Sequence, residues 1–171
     1  MIWQYILTAL SCAMFFGFVV LCVRKFGLLS CYSAYGPLWA QVTPSAGMLN
    51  IWSAVTLVTA FMLVPVLLEN SEHSPWQFTG FLCPALILFV AATPDYATNK
   101  LAGTVHLVCA LAGAILSIAY ILLVTPRLWW VILVYVLIAT ACTVIYGKWS
   151  WDFWFEMAAF AGIYTTAFLI I

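Results

Sequence analysis

Charged residues are scarce in this sequence: five Lys and Arg and five Asp and Glu occur among 171 residues, which is 6% of the chain. An ordinary soluble domain carries about 25% charged residues, whereas 67% of this chain is hydrophobic. A soluble fold could not cover so much apolar surface. The charges also cancel, which leaves no basic surface for nucleic acid, so we predict no nucleic-acid partner.

Motifs of known chemistry are also missing. The sequence has no C-x-x-C pair, no G-x-S-x-G elbow, no phosphate-binding loop and no dinucleotide fingerprint. All but one of the cysteines lie in apolar stretches, where we interpret them as small buried hydrophobes. A metal site would need three or four converging ligands. We therefore predict no metal and no cofactor, and we assign no catalytic residue.

Long apolar stretches fill most of the chain instead. An unpaired backbone group in hydrocarbon costs several kcal/mol, so only helices or a closed barrel can span a membrane. These stretches lack the alternation of barrel strands. We predict an all-α polytopic membrane protein in which residues 1–171 form a single domain, a bundle of about six transmembrane helices. The expected spans are residues 2–23, 51–68, 78–93, 101–124, 128–146 and 153–171.

The basic residues indicate an orientation. Arg24, Lys25, Lys100 and Lys148 fall on the face reached after the first, third and fifth helices, and only Arg127 falls on the other. The positive-inside rule therefore predicts an inner or plasma membrane protein with both termini outside the cytoplasm. Tryptophans mark both expected interfaces: Trp149, Trp151 and Trp154 on the cytoplasmic side, and Trp3, Trp76, Trp129 and Trp130 on the opposite side.

One connection is much longer than the others. Residues 26–50 are too polar and too interrupted by Gly and Pro to span a membrane, and a loop of this length is usually functional or flexible. It nevertheless carries several large apolar side chains, among them Tyr32, Tyr35 and Trp39. A solvated linker would not need them. We expect this segment to fold back over the bundle.

Small residues recur at helical spacing on two of the predicted helices. Ala158, Gly162 and Thr166 share one face, and Ala110 and Ala114 repeat the spacing. Small side chains allow close helix approach in membranes. We expect these faces to pack within the bundle, with a homo-oligomer or protein-partner interface as the alternative.

The polar residues that could carry chemistry all fall near the predicted cytoplasmic face. Two of them have structural explanations: Asp152 could cap a helix, and Asp95 could occupy a turn after Pro94. His106 and Glu156 sit at no helix end, so we expect both to point into the bundle, because a polar side chain facing lipid is costly. The candidate polar site comprises Ser33, Tyr35, Asp95, His106, Asp152 and Glu156.

We expect His106 and Glu156 to meet directly, or through one water or one of Ser33, Tyr35 and Asp95. A neutral imidazole donates one hydrogen to a carboxylate and accepts another bond, which satisfies both groups. The contact would either lock two helices together or serve binding or catalysis. The residues alone leave that choice open.

The order of several short motifs resembles a known group. They are Ser30-Cys31-Tyr32-Ser33-Ala34-Tyr35-Gly36-Pro37 after the first helix, Asn50 at the start of the second, and Thr93-Pro94-Asp95 followed by His106. The chain is similar in helix count and loop pattern to small six-helix membrane proteins that are distantly similar to the DRAM-like autophagy modulators, and it departs from them at Ala91-Ala92-Thr93, where they are usually Gly-rich. The resemblance implies a six-helix bundle whose first cytoplasmic loop lies near His106, and it implies no activity.

Three function classes remain. The scarcity of intramembrane charge favours a lipid-binding or membrane-assembly component with membrane lipid as its partner. A hydrolase or transferase acting on lipid from the cytoplasmic face is an alternative. A small transporter or channel is the third class, but only hydroxyls such as Thr56 and Thr59 would line its path.

Overall fold

The computed structural model describes residues 2–42 and 50–171, and every regular element in those two ranges is helical. Short 3-10 turns at Tyr32–Ala34, Pro126–Leu128 and Lys148–Ser150 lead into three of the α-helices. The α-helices of the described ranges are α1 (Ile2–Phe26), α2 (Tyr35–Val42), α3 (Ile51–Asn70), α4 (Gln77–Ala91), α5 (Lys100–Val124), α6 (Trp129–Tyr146) and α7 (Trp151–Ile170).

Five of these helices, α1, α3, α5, α6 and α7, are long and apolar enough to cross a membrane. The expectation of an all-helical, membrane-compatible chain is confirmed at that level. The remaining long helix, α4, has 15 residues and rises only about 22 Å, against about 30 Å for a hydrocarbon core. It is apolar but shorter than the span that we predicted there.

Two asparagines and one glycine explain where three helix ends lie. The side chain of Asn50 accepts a hydrogen bond from the Ser53 N–H and starts α3, as its position in the sequence indicates. Asn99 starts α5 in the same way. Gly27 adopts a φ of +79°, a conformation that suits glycine, and this ends α1 three residues later than we expected.

The segment after α1 folds back onto the bundle, as predicted, but it also contains a helix that we did not expect. Tyr32 and Tyr35 are 3% and 0% exposed, and α2 begins at Tyr35. Pro37 is tolerated there because the first turn of a helix needs no N–H bond at that position. The Asn50 side chain donates to the carbonyl of Gly36, which ties α2 to α3. The rest of the predicted loop, residues 43–49, lies outside the described ranges.

Aromatic side chains form the centre of the core. The ring of Phe15 lies 5.2 Å from that of Tyr32 and 4.3 Å from that of Phe160. The Tyr32 ring in turn lies 5.6 Å from Trp52. These rings join α1, α3, α7 and the turn at Tyr32–Ala34. Aromatic pairs at such distances add about 0.5–1.5 kcal/mol beyond simple burial.

Buried hydroxyl groups connect the same elements. Ser11 on α1 donates to the carbonyl of Thr59 on α3 (2.8 Å), so the Tyr164 hydroxyl of α7, 2.7 Å away, donates to Ser11. The Tyr32 hydroxyl lies 3.0 Å from the Thr56 hydroxyl of α3. Hydrogen bonds between membrane helices contribute about 0.6–1.7 kcal/mol each. They therefore help hold α1, α3 and α7 together.

The helices pack in two groups. In one, α1 packs on α3, α3 on α4 and α4 on α5; in the other, α6 packs on α7. Helix α5 touches α6 and α7 much less, so a gap remains between the two groups. The small residues Ala110 and Ala114 line this gap, so their face of α5 is not the close helix contact that we expected.

Candidate functional site

A cleft of about 560 Å³ occupies the gap between α5, α6 and α7. Most of its wall is aliphatic, and small residues at Ala110, Ala114, Ala158, Ala159 and Gly162 leave it wide. Most of the polar side chains gather at one end: Ser33, Tyr96, His106, Asp152 and Glu156, with Cys31. Farther along, the hydroxyls of Ser117 and Tyr135 are already bonded to the Ala114 carbonyl and the Thr165 hydroxyl. The cleft is therefore a long apolar space with a polar head, which we call the polar end and define by those six residues.

A smaller cavity of about 100 Å³ lies deeper, between α3, α4, α5 and α7. The hydroxyls of Thr56 and Thr59 line its α3 side. The wall between the inner cavity and the outer cleft is formed by the seven residues that line both, which are Ser33, His106, Ala110, Ala114, Ser117, Glu156 and Ala159.

Glu156 is fixed by the backbone of the turn opposite to it. Its Oε2 atom accepts the Tyr32 N–H at 2.6 Å, and one turn earlier on α7 the Phe153 N–H donates to the carbonyl of Ser30 at 2.8 Å. The carboxylate thus serves as the partner of a backbone group that would otherwise be unpaired. Its second oxygen has no partner among the described residues and is left facing the cavities that Glu156 lines.

His106 is oriented by the C-terminal end of α4. Its Nδ1 atom lies 3.2 Å from the Thr93 hydroxyl, and that hydroxyl is 3.0 Å from the carbonyls of Phe89 and Val90. With the hydroxyl hydrogen on one of those carbonyls, the Thr93 oxygen accepts the imidazole Nδ1–H. The neutral ring then carries its free lone pair on Nε2, which has no hydrogen-bond partner in the described ranges.

Tyr96 covers the imidazole. Its ring stacks on His106 with centroids 4.2 Å apart and an interplanar angle of 23°. Burial raises the pKa of the Tyr96 phenol, and a hydrogen bond with the Ser33 side chain partly counteracts that rise. Ser33 itself is 8% exposed and lies 3.3 Å from the Cys31 thiol. The polar end is therefore a connected set of neutral side chains beside two carboxylates.

The structure brings together four of the six residues of the predicted polar site. Ser33, His106, Asp152 and Glu156 line the cleft. Tyr35 does not: it is fully buried, and its hydroxyl donates to the carbonyl of Gly27 at 2.8 Å. Burial raises its pKa to about 12.

Asp95 is also absent from the cleft walls. It is exposed in the turn after α4, where its carbonyl accepts the N–H groups of Thr98 and Asn99. This is the turn role that its position after Pro94 indicates. The capping role considered for Asp152 is not formed: Ser150 holds the N-cap position of α7, without a side-chain bond, and Asp152 lies in the first turn.

Of the contacts expected between His106 and Glu156, the direct one is not formed, and one through a water or Ser33 stays a prediction. Both side chains point inward, as predicted, but within the described ranges they are not hydrogen-bonded to each other. Each has another partner, Thr93 for the imidazole and the Tyr32 N–H for the carboxylate. The reason is geometric: the Thr93 hydroxyl after α4 and the backbone N–H of Tyr32 lie within hydrogen-bond distance of one atom of each side chain.

Sequence reasoning missed Cys31 and Tyr96. Both belong to segments that it had singled out, the residues before Ser33 and those after Pro94. Nothing in the one-dimensional pattern shows that the Tyr96 ring turns back over α5. Its backbone also comes close, since the position of a Cβ on Gly103 would lie only 2.8 Å from the Tyr96 carbonyl oxygen.

Two observations concern metals and thiols. Among the described residues no group of three His, Cys, Asp or Glu side chains is placed to hold a metal ion, and the six cysteines are free thiols.

Comparison with known proteins gives no relative. No protein-family model, no curated protein and no solved structure matches this chain.

Proposed function

We propose that this chain is a multi-pass membrane protein that holds one long-chain lipid in the cleft between α5, α6 and α7. The observation that carries the proposal is the shape of the cleft together with its chemistry: about 560 Å³, mainly apolar along its length, with most of its polar side chains at one end. A lipid has the same division, with an apolar chain and one polar head. The volume of the cleft lies within the usual range for small-molecule sites, about 300–1,000 Å³.

The α7 wall of the cleft supports a ligand that enters one leaflet. Along α7 the lining runs from Asp152 to Gly162, a rise of about 15 Å, while the α5 wall continues beyond it, from Gly103 to Ile121. One leaflet of hydrocarbon is about 15 Å deep, half of the about 30 Å core. An acyl chain with its head at the polar end would therefore lie at its normal depth.

The rim of the cleft is apolar and exposed. Leu107 and Leu111 on α5 are 68% and 62% exposed, and Val136 on α6 is 39% exposed. All three line the cleft, so its side entrance is made of apolar residues that are compatible with contact to lipid tails. A lipid would enter sideways from the bilayer, without leaving hydrocarbon.

The topology that we propose has six spans, with α4 as the short one and both termini outside the cytoplasm. Four of the five basic residues then lie inside, as the positive-inside rule requires. A single cysteine at exposed Thr98, in a variant without native cysteines, should resist an impermeant thiol reagent in intact cells. Rapid labelling of that cysteine would show that the orientation is reversed.

Lipid retention tests the proposed function. Ala114→Phe places a ring where the cleft is lined by a small residue, whereas Ala141→Phe adds the same ring on the exposed face of α6. Native mass spectrometry of protein purified in a mild detergent should show one lipid retained by the wild type and by Ala141→Phe, and little by Ala114→Phe. Equal retention by both variants would contradict the proposal.

A lipid-modifying activity is the second candidate, because one observation favours it. The Nε2 lone pair of His106 is free to act as a base, and the Ser33 hydroxyl lies in the same cavity wall. Incubation with the retained lipid separates the candidates. A binding protein returns the lipid unchanged, whereas an enzyme yields a product that His106→Ala does not form.

A further inference from the structure

The polar end of the cleft contains negative charge without a positive partner. Asp152 and Glu156 stand one helical turn apart on α7, and both line the cleft. Like charges at this spacing repel each other. None of the Lys or Arg residues in the described ranges lines the cleft, so the chain supplies no cation to offset them.

Hydrogen-bond acceptors at this end are also unpaired. Only one oxygen of Glu156 is used, for the Tyr32 N–H, and His106 uses only Nδ1. His106 is 6% exposed and lines the cleft, and its Nε2 makes no hydrogen bond within the described ranges. Both free acceptors can therefore receive hydrogens from a bound molecule that brings donors.

Building on the proposed function, we infer that the cleft selects a lipid whose head is a protonated amine, such as a long-chain amine or amino alcohol. An ammonium group would lie between two carboxylates and donate hydrogens to the free Glu156 oxygen and to His106 Nε2. The aromatic faces of Tyr96 and Phe155 at the same end add cation–π attraction. A phosphate head would meet two carboxylates and no basic side chain.

Three probes with one tail length test this inference: hexadecylamine, hexadecanol and hexadecyl phosphate. Each is titrated into the wild-type protein in a nonionic detergent, and bound ligand is counted by native mass spectrometry. Ala114→Phe gives the background from partition into the micelle. We expect the amine to saturate the cleft at a concentration about tenfold or more below that of the phosphate, with the alcohol between them.

Variants of the carboxylates test the cause. Asp152→Asn with Glu156→Gln should remove the preference for the amine over the alcohol, and the fold should be kept, since glutamine keeps an oxygen for the Tyr32 N–H. Glu69→Gln removes an exposed charge at the end of α3 and should change nothing.

Each outcome has a separate meaning. Phosphate binding as tight as amine binding, or an amine preference that survives in the double variant, would overturn the head-group inference and leave the lipid cleft standing. If no probe binds above the Ala114→Phe background, the proposed lipid function itself fails.

Discussion

Replacing Tyr32 with phenylalanine would remove one buried hydroxyl and leave the aromatic ring in place. The Thr56 hydroxyl gives its hydrogen to the Trp52 carbonyl at 2.8 Å, so Tyr32 is the donor in the 3.0 Å bond to Thr56. A buried neutral hydrogen bond contributes about 0.5–1.5 kcal/mol net. We expect Tyr32→Phe to lower the free energy of unfolding by about 1 kcal/mol, or the Tm by roughly 2–4 °C for a chain of this size.

A double-mutant cycle isolates this bond from other losses. Tyr32→Phe, Thr56→Val and the double variant are unfolded in one neutral detergent by added dodecyl sulfate, with tryptophan fluorescence as the signal. The coupling energy should be about 0.5–1.5 kcal/mol, because each single change breaks the same bond. Tyr146→Phe, at a ring that is 53% exposed, is the control and should change stability by less than about 0.5 kcal/mol. Strictly additive losses would refute the docking of the segment after α1 through this bond.

Two more predictions concern the same end of the molecule. Burial raises the pKa of Tyr35 from 10.0 to about 12, so the folded protein keeps a proton that the unfolded chain releases, and the free energy of unfolding should fall between about pH 10 and pH 12. In Tyr35→Phe, the free energy of unfolding should therefore differ less between about pH 9 and about pH 11 than it does in the wild type. A difference as large as that of the wild type would contradict this prediction. In Gly103→Ala the new Cβ would lie 2.8 Å from the Tyr96 carbonyl oxygen, so Tyr96 must shift together with its ring over His106, and lipid retention should fall. Gly17→Ala is the control: its new Cβ would have nothing within 4 Å, so this variant should retain lipid as the wild type does.

The helices could be predicted from the sequence because composition and end signals agree there. Asn50 begins α3 through its side chain, and Pro126 follows directly on the last residues of α5, so the boundaries at those places are local properties. The helix α2 was missed for the opposite reason. Gly36 and Pro37 read as a break in the chain, but proline in a first helical turn costs nothing, and the burial of Tyr35 holds the turn in place.

The site was predictable in part of its membership, but not in its pairing. That Ser33, His106 and Glu156 would lie near one another followed from their shared membrane face and from the cost of turning them to lipid. The hydrogen-bond partners of Glu156 and His106 could not be predicted in this way. These partners, the Tyr32 N–H and the Thr93 hydroxyl, belong to segments whose positions depend on the packing of the whole bundle.

Small residues caused the other error. A row of alanines is equally compatible with tight helix contact and with a space between helices. The pattern alone does not distinguish them, because what decides is the position of the next helix. Here α5 stays apart from α7, and Ala110 and Ala114 line empty volume.

The division of the helices into two packed groups has a consequence for biosynthesis. A ribosome makes α6 and α7 after the other helices, so those helices can pack before the cleft has its second wall. Until α7 arrives, Tyr32 lacks the carboxylate that accepts its N–H, Ser11 lacks the Tyr164 hydroxyl, and the His106 side of the cleft stands open. The cleft is therefore complete only when the pair α6–α7 docks on the other helices. A chain that lacks α6 and α7 would keep the other helices and lose the cleft.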